Sequence, residues 1–123
     1  MKYLIITATA LLLIYLSYRT YRYLTLADGL ASKIKNGAII LDVRTEEEFN
    51  TGHIAGALNI SLGTIRERYI TLDPGKTYIT TCSHGLRSVK VAQLLKERGF
   101  KQVYNGGAWS DLEPVVKQNR PID

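Results

Sequence analysis

The sequence is poor in the residues that build metal sites and disulfide frameworks. Among 123 residues there is one cysteine, Cys82, and there are two histidines, His53 and His84. A single cysteine excludes an intrachain disulfide, and one cysteine with two scattered histidines is too small a set for a structural zinc site. The sequence therefore predicts no metal and no cofactor, and it leaves Cys82 as a free thiol.

Acidic residues are missing from the first part of the chain, and this shortage explains most of the net charge of +5. Three basic residues (Lys2, Arg19 and Arg22) lie before residue 24, whereas the thirteen that follow are nearly balanced by eleven acidic residues. A basic stripe interleaved with aromatic side chains, which is typical of nucleic-acid binding, is lacking. We therefore expect no nucleic-acid partner.

Charge is absent altogether from residues 3–18. A buried core helix, a cleaved signal peptide and a membrane anchor are all compatible with such a run. A signal peptide requires small residues at its cleavage site, but bulky and basic residues follow here. Sixteen helical residues span about 24 Å, and Lys2 and Arg19 can extend to the two interfaces of a ~30 Å hydrocarbon core. We favour a single-pass anchor over residues 1–23, with an exporting signal peptide as the alternative.

The basic residues that flank this run indicate a membrane orientation. Four lie on the C-terminal side, whereas the N-terminal side has only Lys2 and the α-amino group. The four are Arg19, Arg22, Lys33 and Lys35. The side of a transmembrane helix that carries more Lys and Arg usually stays on the cytoplasmic side of the membrane. We therefore expect residues 24–123 in the cytoplasm, a reducing compartment that suits a free thiol.

Apolar strands alternate with helical segments after residue 24. Strands are predicted at 38–41, 58–60, 77–81 and 102–104, and helices at 25–36, 46–50, 64–70, 88–98 and 112–116. Thr45 and Glu48 form a capping box for the second of these helices. The alternation predicts a mainly parallel sheet covered on both faces. Asp42 and Cys82 follow strands, at the sheet edge where such folds bind ligands.

Cys82 opens a six-residue loop, residues 82–87, between a predicted strand and a predicted helix. We expect Gly85 to let the loop curl tightly and Ser88 to cap the helix. Loop N–H groups and the helix N-terminus would then form an anion cradle that favours thiolate. A lone cysteine is more often inert and buried, but this position favours a reactive thiol.

Several segments, in this order and spacing, resemble a single-domain rhodanese. They are residues 41–44, 48–49, 52–60, 82–88 and 105–109. The resemblance covers about residues 25–116. The sequence departs from the family at Ala55, where proline is usual. It implies an α/β three-layer sandwich around a five-stranded parallel sheet. With the anchor added, we expect one transmembrane helix over 1–23 and a rhodanese-like domain over 24–123.

The resemblance also implies sulfurtransferase chemistry. Cys82 would take a sulfane sulfur from thiosulfate, another small sulfur anion or a persulfide, and pass it to cyanide or a thiol, including one on an acceptor protein. This is covalent catalysis through a persulfide. A substrate-binding loop would hold the sulfur with its N–H groups. Its residues are Ser83, His84, Gly85, Leu86, Arg87 and Ser88.

Two roles stay open for Arg87 and two for His84. Arg87 either binds an anionic donor, because guanidinium matches oxyanions, or forms an ion pair that fixes the loop. His84 either tunes the thiolate and touches substrate or stays solvated.

The resemblance places three further residues near the site in supporting roles. We expect Asp42 to accept backbone N–H bonds, Arg44 to pair with a glutamate such as Glu48, and Trp109 to wall the pocket or pack in the core. His53 is expected to be structural.

Two other functions compete with sulfur transfer. Cysteine phosphatases of the same fold have one more residue between cysteine and arginine than the four between Cys82 and Arg87. The smaller ring suits a sulfur atom better than a phosphoryl group. The other alternative is a membrane-bound persulfide carrier or sensor without fast turnover.

Overall fold

Helices and strands alternate along residues 1–120 of the computed structural model, in which the side chains of Tyr23 and residues 25–28 and all of residues 121–123 are left undescribed. The elements are α1 (Lys2–Lys35), β1 (Ile39–Asp42), α2 (Glu46–Thr51), β2 (Leu58–Asn59), α3 (Ile65–Arg68), a 3₁₀ turn (Tyr69–Thr71), β3 (Thr77–Cys82), α4 (Leu86–Glu97), β4 (Gln102–Ala108) and α5 (Trp109–Asn119).

The strands form one parallel sheet in the order β2-β1-β3-β4. Leu41 of β1 lies opposite Thr80 of β3, and Ile79 lies opposite Tyr104 of β4. The parallel α/β architecture is confirmed, and the four strands are those that the apolar segments predict. The expectation of five strands is wrong for residues 1–120, because the chain before β1 is helical up to Lys35.

Each face of the sheet carries its own apolar core, since successive strand residues point to opposite faces. One core contains Leu41 and Tyr78 and packs against Val91 and Leu95 of α4. The other contains Ile40 and Ile79. It is completed by residues of α1 and α5, namely Leu30, Ile34, Leu112, Val115 and Val116. Helices thus cover both faces, giving three layers with the carboxyl ends of β1 and β3 side by side.

α1 is a single helix from Lys2 to Lys35, so the helix predicted over 25–36 is its C-terminal part. The helical spacing of Leu26, Leu30 and Ile34 predicts that they share one face; Leu30 and Ile34 are buried, and the side chain of Leu26 lies outside the described residues. Residues Lys2–Arg22 are not buried at all and have a mean hydropathy of 1.4. They do not form a core helix. Their length and composition suffice to cross a membrane, and a signal sequence meets the same criteria.

We expect Gly106→Ala to destabilise the fold. A Cβ at this position would lie 2.7 Å from Ile79 Cγ2, 2.9 Å from Leu112 Cδ2 and 2.9 Å from the Thr80 oxygen. Overpacking of this kind costs about 1–3 kcal/mol. Thermal unfolding followed by circular dichroism should show a lower midpoint. Gly29→Ala is the matched control, because a Cβ there meets no atom within 4 Å, and an unchanged midpoint for Gly106→Ala would contradict the prediction.

Candidate active site

Cys82 is the last residue of the central strand β3, and its thiol is almost completely buried, with 1% of the residue exposed. The chain folds back over the sulfur, so that the Gly85 N–H donates to Sγ at 3.0 Å. Gly85 has φ of +91°, a conformation that glycine adopts without steric cost. A Cβ at Gly85 would also approach the Gly107 Cα to 3.4 Å. The loop therefore closes around a single atom.

Ser88 does not cap the following helix as predicted. α4 begins at Leu86 with Gly85 in the cap position, and Ser88 lies in the first turn with a fully buried side chain. Its Oγ is 3.5 Å from Cys82 Sγ, 3.1 Å from the Gly85 oxygen and 2.6 Å from Asn105 Oδ1. The helix starts earlier because the left-handed glycine already turns the chain into it. Ser88 is thereby directed towards the sulfur.

Asn105 is a neighbour of the site to which sequence reasoning gave no role. Its Oδ1 accepts hydrogen bonds from the Ser88 hydroxyl and, at 3.0 Å, from the Gly107 N–H. It lies on β4 where the pairing with β3 shifts register between Thr80 and Cys82. The signals in the sequence were its place before two glycines at the end of a predicted strand and its inclusion in the segment 105–109 of the resemblance.

The surroundings of Cys82 act on its ionisation in opposite directions. Burial raises the pKa of the thiol, but hydrogen bonds from the Ser88 hydroxyl and from the N–H groups of Ser88, His84 and Gly85 outweigh it. The pKa of Cys82 is therefore lower than that of an ordinary thiol. A larger fraction of the residue is thiolate, which is the nucleophilic form.

Glu48 connects α2 to the Cys82 loop. Its carboxylate accepts two hydrogen bonds from Arg87, at 2.7 and 2.9 Å, and one from the Ser83 hydroxyl at 3.1 Å. It also completes the predicted capping box with Thr45. The Arg87 guanidinium, with smaller contributions from Thr45 and Ser83, holds the pKa of the Glu48 carboxyl far below its usual range. Of the two roles left open for Arg87, the structure shows the ion pair.

Asp42 and Arg44 form a second, buried ion pair beside the loop. Arg44 Nη2 lies 2.7 Å from Asp42 Oδ2, and Asp42 Oδ1 also accepts the Arg44 N–H at 3.0 Å. The expected pairing of Arg44 with the Glu48 carboxylate is wrong: Arg44 donates instead to the backbone oxygens of Glu48 and Gly52. Trp109 covers the guanidinium at 4.8 Å. This pair fixes the connection between β1 and α2.

The side chains of the other predicted residues lie away from the Cys82 sulfur. His84 and Leu86 are exposed, and Leu86 has 76% of its surface in solvent. His53 stacks on Phe49 and its Nδ1 lies 2.8 Å from the Phe49 oxygen, in keeping with a structural role. Within the described part of the chain, no group of three or more His, Cys, Asp or Glu side chains is placed to hold a metal ion.

Comparison with known proteins identifies similar chains. A family model described as a rhodanese-like domain matches residues 26–109. The thiosulfate sulfurtransferase GlpE of Coxiella burnetii is 37% identical over 90 residues, covering 70% of this chain and 84% of that protein. The thiosulfate sulfurtransferase PspE of Escherichia coli is 36% identical over 80 residues, covering 63% of this chain and 77% of that protein.

Solved structures show the same likeness. A rhodanese with anions from Escherichia coli is 32% identical with a TM-score of 0.57, covering 61% of this chain and 91% of that one. A rhodanese-related protein from Thermoplasma volcanium is 29% identical with a TM-score of 0.60, covering 79% of this chain and 93% of that one.

We expect the Glu48 ion pair to make stability depend on acid pH. Because the folded state depresses the pKa of Glu48, its stabilising effect is present above the unfolded-state pKa of about 4.3. It is lost as the pH falls from there through the folded-state pKa. The difference in unfolding midpoint between the wild type and Glu48→Gln should be largest near neutrality and shrink on acidification. Glu47→Gln, at an exposed position of α2, is the control. A difference that persists unchanged into acid would contradict the prediction.

Proposed function

This chain belongs to the rhodanese family and is a sulfurtransferase, and we propose that it moves a sulfane sulfur from thiosulfate or a persulfide donor to a thiol or cyanide through a persulfide on Cys82. The geometry that carries the proposal is the closure of the loop around one sulfur atom, with the Gly85 N–H 3.0 Å from Sγ. No cofactor is needed for this chemistry.

The reaction takes place in two steps. The Cys82 thiolate attacks the outer sulfur of thiosulfate, the sulfur–sulfur bond of the donor breaks, and sulfite leaves with the bonding electrons. An acceptor thiolate or cyanide then attacks the outer sulfur of the persulfide, and the electron pair returns to Cys82. The loop N–H groups stabilise the negative sulfur at each stage. The residues in this role are Ser83, His84, Gly85, Leu86, Arg87 and Ser88, with Asp42, Arg44 and Trp109 as supports.

The contacts of Arg87 argue against the phosphatase alternative. Both of its terminal nitrogens are engaged by Glu48, at 2.7 and 2.9 Å. A phosphoryl group would need these donors, because it presents several oxygens at once. A sulfur atom needs only the N–H groups that already converge on Sγ. The site therefore suits a sulfane sulfur.

Incubation with thiosulfate should load one sulfur atom onto Cys82. Mass spectrometry of the intact chain should show the added mass of one sulfur, cyanide should remove it, and Cys82→Ala should never acquire it. Repeated cyanide-dependent turnover would distinguish an enzyme from a carrier, which loads sulfur but releases it slowly. Hydrolysis of an aryl phosphate without any sulfur adduct would sink the proposal.

We further propose that residues 1–23 anchor the protein in a membrane and that residues 24–123 form a cytoplasmic domain. The segment Lys2–Arg22 is apolar, and none of it is buried inside the molecule. Its exposed tyrosines, among them Tyr15 and Tyr18, stand close to Arg19 and Arg22, as is typical of a membrane interface. Thiol-bearing acceptors in the same compartment are the partners that this location offers.

A membrane-impermeant thiol reagent tests the orientation. In a Cys82→Ala background, Gln118→Cys places a single thiol at an exposed position of α5. We expect no labelling in intact cells and labelling after permeabilisation. Labelling of intact cells would overturn the cytoplasmic orientation. A purified chain whose intact mass lacks the N-terminal residues would show that a signal peptide had been removed.

A further inference from the structure

Ser88 carries one hydroxyl proton and is surrounded by three groups that can accept it. These are Asn105 Oδ1 at 2.6 Å, the Gly85 oxygen at 3.1 Å and Cys82 Sγ at 3.5 Å. The residue is fully buried. The orientation of the Asn105 amide is fixed, because the Gly107 N–H requires an oxygen as its acceptor at 3.0 Å. The three acceptors therefore compete for a single proton.

The outcome of this competition depends on the state of the sulfur. A Cys82 thiol has its own proton, which it can donate to Ser88 Oγ, and the Ser88 hydroxyl is then free to donate to Asn105 at the shortest of its three distances. A thiolate has no proton and is a strong acceptor, because hydrogen bonds to charged groups are stronger than neutral ones. The serine hydroxyl then turns to the sulfur.

We propose that Asn105 is a positioning residue for sulfur transfer: its amide oxygen holds the Ser88 hydroxyl proton while the Cys82 sulfur is neutral and releases it to that sulfur when it becomes an anion. The inference rests on the proposed role of Cys82 as nucleophile. The anion arises twice in the cycle, before attack on the donor and when the acceptor breaks the bond between the two persulfide sulfurs. In each case the electron pair on Sγ receives the Ser88 proton as a hydrogen bond, and no proton is transferred.

The charged groups around Cys82 are separate from this network. Asp42 with Arg44, and Glu48 with Arg87, form two ion pairs on the β1, α2 and loop side of the sulfur. The other titratable residues of the loop, of β4 and of the first turns of α4 and α5 are His84, Tyr104 and Asp111. Ser88 and Asn105 are hydrogen-bonded to none of these side chains among the described residues. Substitutions at Asn105 therefore leave both ion pairs in place.

Two substitutions at Asn105 should move the ionisation of Cys82 in opposite directions. Asn105→Ala removes the nearest acceptor, so the Ser88 hydroxyl is left with only the sulfur anion and the neutral Gly85 oxygen, and thiolate becomes easier to form. Asn105→Asp keeps an oxygen for Ser88 and for the Gly107 N–H, but it adds a negative charge that holds the hydroxyl more tightly and disfavours thiolate. If Asn105 had a purely structural role, the two variants would have no reason to change the thiolate fraction of Cys82 in opposite directions.

Ultraviolet absorbance of the thiolate, recorded against pH on the full chain in detergent, measures this directly, with Cys82→Ala as the blank. At a pH about two units below the wild-type pKa, Asn105→Ala should raise the thiolate fraction about tenfold and Asn105→Asp should lower it by a similar factor. Ser88→Ala should also lower it. Asn59→Ala is the matched control, because Asn59 is a partly buried asparagine that donates to Asp42 and Arg44 oxygens and should leave the titration unchanged.

Shifts of the same sign for both Asn105 variants, or no shift for Asn105→Ala, would overturn the inference. The loading of sulfur from thiosulfate, followed by mass spectrometry in the same variants, separates this failure from that of the proposed function. Opposite titration shifts without any persulfide would support the role of Asn105 but refute the proposed sulfur transfer through Cys82. A persulfide without opposite shifts would support the proposed sulfur transfer but refute the role of Asn105. If Asn105→Ala does not fold, as judged by circular dichroism, Asn105→Leu takes its place, because it also lacks an acceptor but keeps the side-chain volume, and it should raise the thiolate fraction where Asn105→Asp lowers it.

Discussion

The carboxylate of Glu48 is the contact on which the shape of the sulfur site depends. It belongs to the helix that follows β1, yet it binds Arg87 and Ser83 in the loop that follows β3. The same carboxylate caps its own helix through Thr45. One group thus secures both a helix start and a loop that come from neighbouring strands. Because the loop is fixed by a group outside itself, its N–H groups can stay directed at the sulfur.

The sequence predicts the local features of this arrangement, but it does not predict which distant residues bind each other. The capping box of Thr45 and Glu48 follows from spacing within a single helix and is confirmed. The pairing of Arg44 with the Glu48 carboxylate was taken from the resemblance and is wrong. Arg44 comes before α2, at a bend that turns its guanidinium back to Asp42. Arg87, the residue that binds the carboxylate, is far away in sequence.

The strand count and the residues around Cys82 also show that sequence patterns predict local structure better than contacts between distant segments. Apolar segments located all four strands, whereas the fifth strand was inherited from the resemblance and is absent from residues 1–120. Ser88 looked like a helix cap because local sequence cannot reveal that Gly85 already begins the helix. Asn105 pairs with Thr80 just before the register shift between β3 and β4, and its side chain contacts Ser88 on the following helix. Such contacts depend on how strands align, which residue type and periodicity do not encode.

The burial of Cys82 has a consequence for the resting protein. With 1% of its surface exposed, the empty thiol is shielded from bulky electrophiles, although its lowered pKa favours reaction with them. On the proposed chemistry, a sulfane sulfur on Cys82 would lie about 2 Å from Sγ and would be the atom that an acceptor attacks. The chain has no second cysteine with which to form an internal disulfide. The empty site is thus open to a small sulfur donor but closed to large reagents.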